Sequence, residues 1–351
     1  MKRIPLWAQR PLVVLVAALV TACGGSGDGD QSPRVAYTKM VSFGDSLSDV
    51  GSYRVGAIAQ LGGGEYSVNG STGVNWTELL AASAHVSAPC AAQTGLQSTI
   101  PSIPAVPVVN HPGCYGYAQG GSRVTNPIGV GNAAFPAPQL GQLTDPVKNQ
   151  IARHLAASGG AFAADDLVTV MAGGNDVFVN LGAIGQGLPP ASAVTAVATA
   201  GGELAAYVKS LIVANGAKRV VVVNLPDVSQ TPFAYALDVP TQGLINTMVQ
   251  QFNQQLATGL AGVPEVLVVD AYTQGRDQTA QPAAYALTNV TTTACDLAKT
   301  ALPTSLVCNA NTLVVGDVSH YEFADTVHPT PFGYSLLARY VAKNMLDKGW
   351  L

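Results

Sequence analysis

The run Lys39 to Phe43 is short, apolar and partly β-branched, and it leads into Gly44-Asp45-Ser46-Leu47-Ser48-Asp49. A hydroxyl at the C-terminal end of a first strand sits where open parallel sheets place their reactive groups. Gly44 lets the chain turn sharply there. A helix starting just beyond Ser46 would aim backbone N–H groups at a developing anion. Ser and Asp also cap helices, so this string alone is compatible with a purely structural role. Far along the chain stands Asp325-Thr326-Val327-His328-Pro329. A carboxylate and an imidazole three residues apart can share one side of a turn. The Asp would then hold the ring Nδ1–H and leave Nε2 free to take a proton from a serine. Pro329 disfavours helical geometry at His328 and so puts it on the loop before the final helix. His85, His111 and His154 have no such neighbour, and no two histidines have metal-binding spacing.

Two further strings supply neutral donors: Tyr117-Ala118-Gln119-Gly120-Gly121-Ser122 and Ala172-Gly173-Gly174-Asn175-Asp176-Val177. A glycine N–H and an asparagine amide are suited to a tetrahedral oxyanion, although each string read singly is only a turn or a loop opener. Taken together and in this order, the four pieces resemble the GDSL esterases and lipases of the wider SGNH hydrolase family. The matching blocks are Gly44-Asp45-Ser46-Leu47, Gly120, Gly173-Gly174-Asn175-Asp176, and Asp325 with His328, within residues 38 to 349. The resemblance implies Ser46 as nucleophile, His328 as general base and then acid, and Asp325 as the group that orients the imidazole. It implies an oxyanion hole of the Ser46 N–H, the Gly120 N–H and the Asn175 amide, with Gly121 the alternative to Gly120. It also implies an α/β fold, a three-layer α/β/α sandwich of flavodoxin-like type with a parallel sheet of about five strands. No cofactor or metal is implied. The expected activity is hydrolysis of carboxylic or lipid esters. A polysaccharide O-deacetylase, a lipid acyltransferase and an inactive lipid-anchored binding protein are the other readings. There is no Gly-x-Ser-x-Gly string, which argues against the separate α/β-hydrolase family.

The elements that would position these groups alternate between strand and helix signals, the mark of a parallel sheet covered on both faces. Strands are expected at Lys39 to Phe43, Leu167 to Met171, Arg219 to Asn224 and Val266 to Asp270. Arg219 to Asn224 is a near-continuous valine run, as suits a strand buried on both faces. Helices are expected at Asn75 to Ala84, at Ser192 to Asn215 with Gly216 ending it, and at Phe332 to Asp347 behind Pro331. Leu244, Ile245, Met248, Val249, Phe252, Leu256 and Leu260 mark the buried stripe of another. Residues 85 to 150 and 272 to 324 break the rhythm and are read as walls of the substrate pocket. No internal repeat is present, and residues 37 to 351 read as one domain.

Before that domain, Lys2, Arg3 and Arg10 precede the apolar run Leu12 to Val20, too short to cross a bilayer, so residues 1 to 22 read as a signal peptide. Val20-Thr21-Ala22-Cys23 resembles a lipobox, which makes Cys23 a candidate lipidation site followed by a Gly/Ser-rich linker over residues 23 to 36. An ordinary signal peptide is the alternative. An outer-membrane lipid anchor or a secreted chain follows, with the membrane touched only through that anchor and the protein a monomer. Losing three of 17 basic side chains and none of the 21 acidic ones leaves a net charge of −7, which with no basic cluster excludes nucleic acid as a partner. Four cysteines remain after Cys23, an even count that suggests two disulfides in an exported chain. Four cysteines allow three pairings, of which the sequence-local Cys90–Cys114 and Cys295–Cys308 are favoured because each would close a segment without periodicity. A four-cysteine zinc site is disfavoured by the spacing.

Overall fold

A computed structural model of the protein describes residues 35–70 and 75–351. The signal peptide, Cys23 and most of the expected linker lie outside the described residues. The strands in chain order are β1 (Lys39–Gly44), β2 (Gln93–Leu96), β3 (Val106–Asn110), β4 (Asp166–Met171), β5 (Arg219–Val223), β6 (Val266–Val269), β7 (Asn289–Thr293) and β8 (Tyr321–Phe323). The helices are α1 (Gly56–Gln60), α2 (Trp76–Ser83), α3 (Val147–Ala157), α4 (Gly174–Ile184), α5 (Pro190–Tyr207), α6 (Pro232–Tyr235), α7 (Val239–Leu260), α8 (Ala271–Ala280) and α9 (Pro331–Asp347).

The central sheet is parallel with strand order β1-β4-β5-β6. Alternate residues along each strand face opposite layers. Val41, Phe43, Val168, Val170, Val220 and Val222 pack with Ile151, Leu204, Met248 and Phe252 from α3, α5 and α7. Met40, Leu167, Met171, Val221, Val223 and Val269 pack with Trp76 and Leu80 of α2 and with Tyr334, Val341 and Met345 of α9. Each such fully buried side chain contributes about 1.5–3 kcal/mol. A slip of one residue would exchange the two faces, but both are apolar. Register is therefore held by the shapes of the two helix layers rather than by polarity.

The sheet has four full strands where about five were expected. Tyr115 to Gln119 fills the missing edge irregularly: the Ser42 N–H donates to Tyr115 O, Tyr117 N–H to Ser42 O and Gln119 N–H to Gly44 O. Gly116 passes so close to Cys90 and Val50 that a Cβ there would lie 2.8 Å from Cys90 O. That crowding, beside the Cys90–Cys114 disulfide, limits regular pairing to a single bridge. The second disulfide joins Cys295 and Cys308. The Ala-rich helix runs as α5 to Tyr207 and goes on through a wide turn and a tight turn to Gly216, whose φ of +108° ends it.

Candidate active site

Ser46 stands immediately past the end of β1, at the C-terminal edge of the sheet. Gly44 is required there: its φ is +155°, and a Cβ would lie 2.1 Å from the carbonyl oxygen of Met171 on β4. The buried Gln150 side chain clamps the same residue, accepting from Gly44 N (2.9 Å) and donating to Gly44 O (2.8 Å). Beyond Ser46 the chain forms a tight turn, in place of the expected helix start. Two carboxylates account for this. Asp45 accepts from Leu47 N (3.1 Å), and Asp49 Oδ1 accepts from Gly51 N (2.9 Å) and Ser52 N (2.7 Å), so these amides are capped without a helix.

Asp325 and His328 lie on the turn between β8 and α9, closed by Ala324 N–H donating to His328 O at 2.8 Å. His328 Nδ1 is 2.8 Å from Asp325 Oδ2, and His328 Nε2 is 2.9 Å from Ser46 Oγ. Asp325 Oδ1 also accepts from Val327 N (2.9 Å) and His328 N (2.8 Å), and Oδ2 accepts from Ser305 N (2.7 Å). Burial would raise the pKa of this carboxyl. His328 and the N–H donors outweigh burial and hold it well below the usual range. The Tyr66 ring packs against the imidazole with centroids 4.8 Å apart. The other histidines are elsewhere: His111 bonds Thr94, His320 stacks on Phe332, His154 sits among core aromatics and His85 is exposed.

The donors do not all stand as the sequence implied. Asn175, at the start of α4, spends one amide proton on Ser122 O at 2.9 Å and keeps the other. Its neighbour Asp176 is tied to Arg123 Nε and Val124 N, which fixes the start of α4 against the Gly120-Gly121 turn. The Gly120 N–H donates to Asp49 Oδ2 at 2.8 Å. It therefore has no proton for an incoming anion. Among the described residues the N–H groups of Ser46 and Gly121 have no partner.

Several contributors escaped the sequence reading. Asp49 has no signal in the sequence beyond its place in the string that follows Gly44. Gln150 and Tyr66 carry no motif at all. Ser305 acts through its backbone, which leaves no trace in residue type. It does lie within residues 272 to 324, the second segment read as a pocket wall.

Comparison with known proteins follows the same lines. No curated protein matches the sequence. Among solved structures, an alpha/beta hydrolase from the metagenome of Lake Arreo is 14% identical, with 91% of this chain and 99% of that one covered and a TM-score of 0.41. An extracellular lipase from Streptomyces rimosus is 16% identical over 87% of this chain and 99% of its own, with a TM-score of 0.35. An acetyl-xylooligosaccharide esterase from a Geobacillus is 14% identical over 90% and 96%, with a TM-score of 0.41. The pattern that defines one enzyme family matches residues 40–341, a span that opens at β1 just before Ser46 and closes within α9 just after His328. The chain belongs to the GDSL-like lipase/acylhydrolase family, hydrolases that act on ester bonds.

Proposed function

We propose that the protein cleaves carboxylic or lipid esters through an acyl-enzyme on Ser46. The Ser46 Oγ attacks the ester carbonyl while His328 Nε2 takes its proton, and Asp325 holds the imidazole and stabilises its charged form. The oxyanion that forms accepts from Ser46 N–H, the second amide proton of Asn175 and, in place of Gly120, the Gly121 N–H. On collapse the C–O bond to the alcohol breaks, and His328 returns the proton to the leaving oxygen. A water deprotonated by His328 then attacks the acyl-enzyme and releases the acid. What carries this reading is the 2.9 Å contact between Ser46 Oγ and His328 Nε2, with Asp325 on the far side of the ring.

A fluorophosphonate probe is expected to label Ser46 in the folded protein, and Ser46→Ala to remove both labelling and turnover of p-nitrophenyl esters. Undiminished turnover by Ser46→Ala sinks the proposal. A series from acetyl to palmitoyl esters, run beside a phospholipid and an acetylated glycan, separates esterase, lipase and deacetylase. The two disulfides fit an oxidising compartment and so an exported protein. Attachment through a lipid on Cys23 remains part of the proposal. It is tested by acid-stable palmitate labelling that Cys23→Ser abolishes.

A further inference from the structure

Next to the Ser46–His328 contact is a cavity of about 100 Å³. Its walls include Leu47, which follows Ser46, and Val327 and Pro329, which flank His328. Phe323 and Leu337 add to the apolar lining. The recess is smaller than a cavity of ~150 Å³ that takes up benzene, so it suits a short chain rather than a ring system.

One wall residue does not belong in apolar surroundings. Glu322, on β8 beside Phe323, has its Oε2 sealed from solvent and without a hydrogen-bond partner. Four other buried acids have a cation in reach (Lys39 at Asp166, Arg54 at Glu65, Arg123 at Asp176 and Arg276 at Asp227), although Glu65 Oε2 is likewise without a hydrogen bond. Burial alone lifts the Glu322 carboxyl to about 7, and no cation or donor opposes it. An orphaned carboxyl is costly to bury, and an apolar side chain would fill the same wall without that cost. Asp227, the other acid on the wall, is already neutralised by Arg276. A ligand cation would therefore meet one counter-charge only, whereas a hydroxyl needs no more than the single acceptor on offer.

We infer that this cavity receives a short arm of the ester substrate ending in a hydroxyl, whose O–H donates to Glu322. The inference rests on the reading of Ser46 and His328 as the reacting pair. The hydroxyl can come from the acyl or the alcohol side of the ester, since the cavity touches the neighbours of both reacting residues. Leu47 and Val327 would then hold the carbon chain, and the hydroxyl would gain a hydrogen bond at Glu322 that a plain alkyl end of the same length cannot make.

Two matched pairs of substrates test this. In the acyl arm, p-nitrophenyl 3-hydroxybutyrate is compared with p-nitrophenyl butyrate, and in the alcohol arm, 3-hydroxypropyl butyrate with propyl butyrate. The hydroxylated member is expected to have about tenfold higher kcat/KM in one arm. Glu322→Leu should erase that preference and raise turnover of the plain ester, while Glu322→Gln, which keeps an acceptor oxygen, retains most of it. Glu322→Met gives a second apolar replacement should the leucine variant fold poorly. Equal rates within both pairs, or a preference that survives in Glu322→Leu and Glu322→Met, would overturn the inference and leave ester hydrolysis standing. A wild-type protein that hydrolyses neither plain ester would mean that the hydrolase reading has failed, and this inference with it.

Discussion

Asp49 receives the N–H groups of Gly51, Ser52 and Gly120, so one side chain ties the turn after Ser46 to the turn that carries Gly121. Asp49→Ala should lower Tm by several degrees, since three buried amides lose their acceptor. It should also reduce kcat by tenfold or more with little change in KM, because the Gly121 N–H is no longer held in place. A variant that melts early but turns over normally would limit Asp49 to a structural role. Asn175→Ala is expected to cost about 10²-fold in kcat, and Asp325→Asn on the order of 10⁴-fold, both read from steady-state kinetics. The partnership of Asp325 and His328 was legible because it is local, although spacing alone does not make it: Asp317 and His320 are equally far apart, and His320 Nδ1 faces Ala286 O at 2.8 Å. The choice between Gly120 and Gly121 was not legible. It depends on which adjacent amide is captured by a carboxylate 71 positions earlier, and sequence order says nothing about that.

Strands buried on both faces announced themselves as valine-rich runs, and the helices packed on them as apolar stripes, so the sandwich could be read in advance. The inserted segments could not. β2 and β3 form a small hairpin with exposed Val108 and Val109, and β7 with β8 a two-stranded patch, and neither has enough buried positions to set a period. Local devices in the expected helices and in the inserted segments nevertheless carry testable weight. Asn75 caps α2 in a reciprocal arrangement with Glu78, and its amide also donates to Leu47 O at 2.9 Å. Asn75→Ala should therefore cost somewhat more than the ~1 kcal/mol of a typical cap, measured by urea unfolding. The Cys295–Cys308 loop spans 13 residues and contains Ser305, which donates to Asp325. Replacing both cysteines with serine should cost about 3 kcal/mol. It should also lower kcat at temperatures where the variant is still folded. An unchanged kcat would show that Ser305 keeps its place without the crosslink.

Proton uptake couples the whole molecule to its surroundings. His154 is fully buried among Phe43, Tyr115, Tyr117 and Phe162, and burial drops its pKa from 6.5 to about 4. Between those values the unfolded chain binds the proton and the folded one does not, so stability declines as the pH falls from 6.5 towards 4. His154→Phe should flatten that acid limb, and urea melts of both proteins at pH 4.5 and 7 would show it. An identical decline in the two would clear His154. The buried carboxyl of Asp45 and the half-buried one of Glu78, lifted to about 7 chiefly by desolvation, act in the other direction. The folded state keeps their protons, and their contribution shrinks as the pH rises from the ordinary carboxylate range to 7. A further consequence belongs to the order in which the chain is made. A polypeptide synthesised only as far as α8 already holds the hydroxyl of Ser46, the glycine turns and the Asn175 amide, but no base to activate them. On the proposed mechanism, competence to attack an ester therefore waits for the last part of the chain, since Ser46 has no partner until the turn before α9 brings His328 to it.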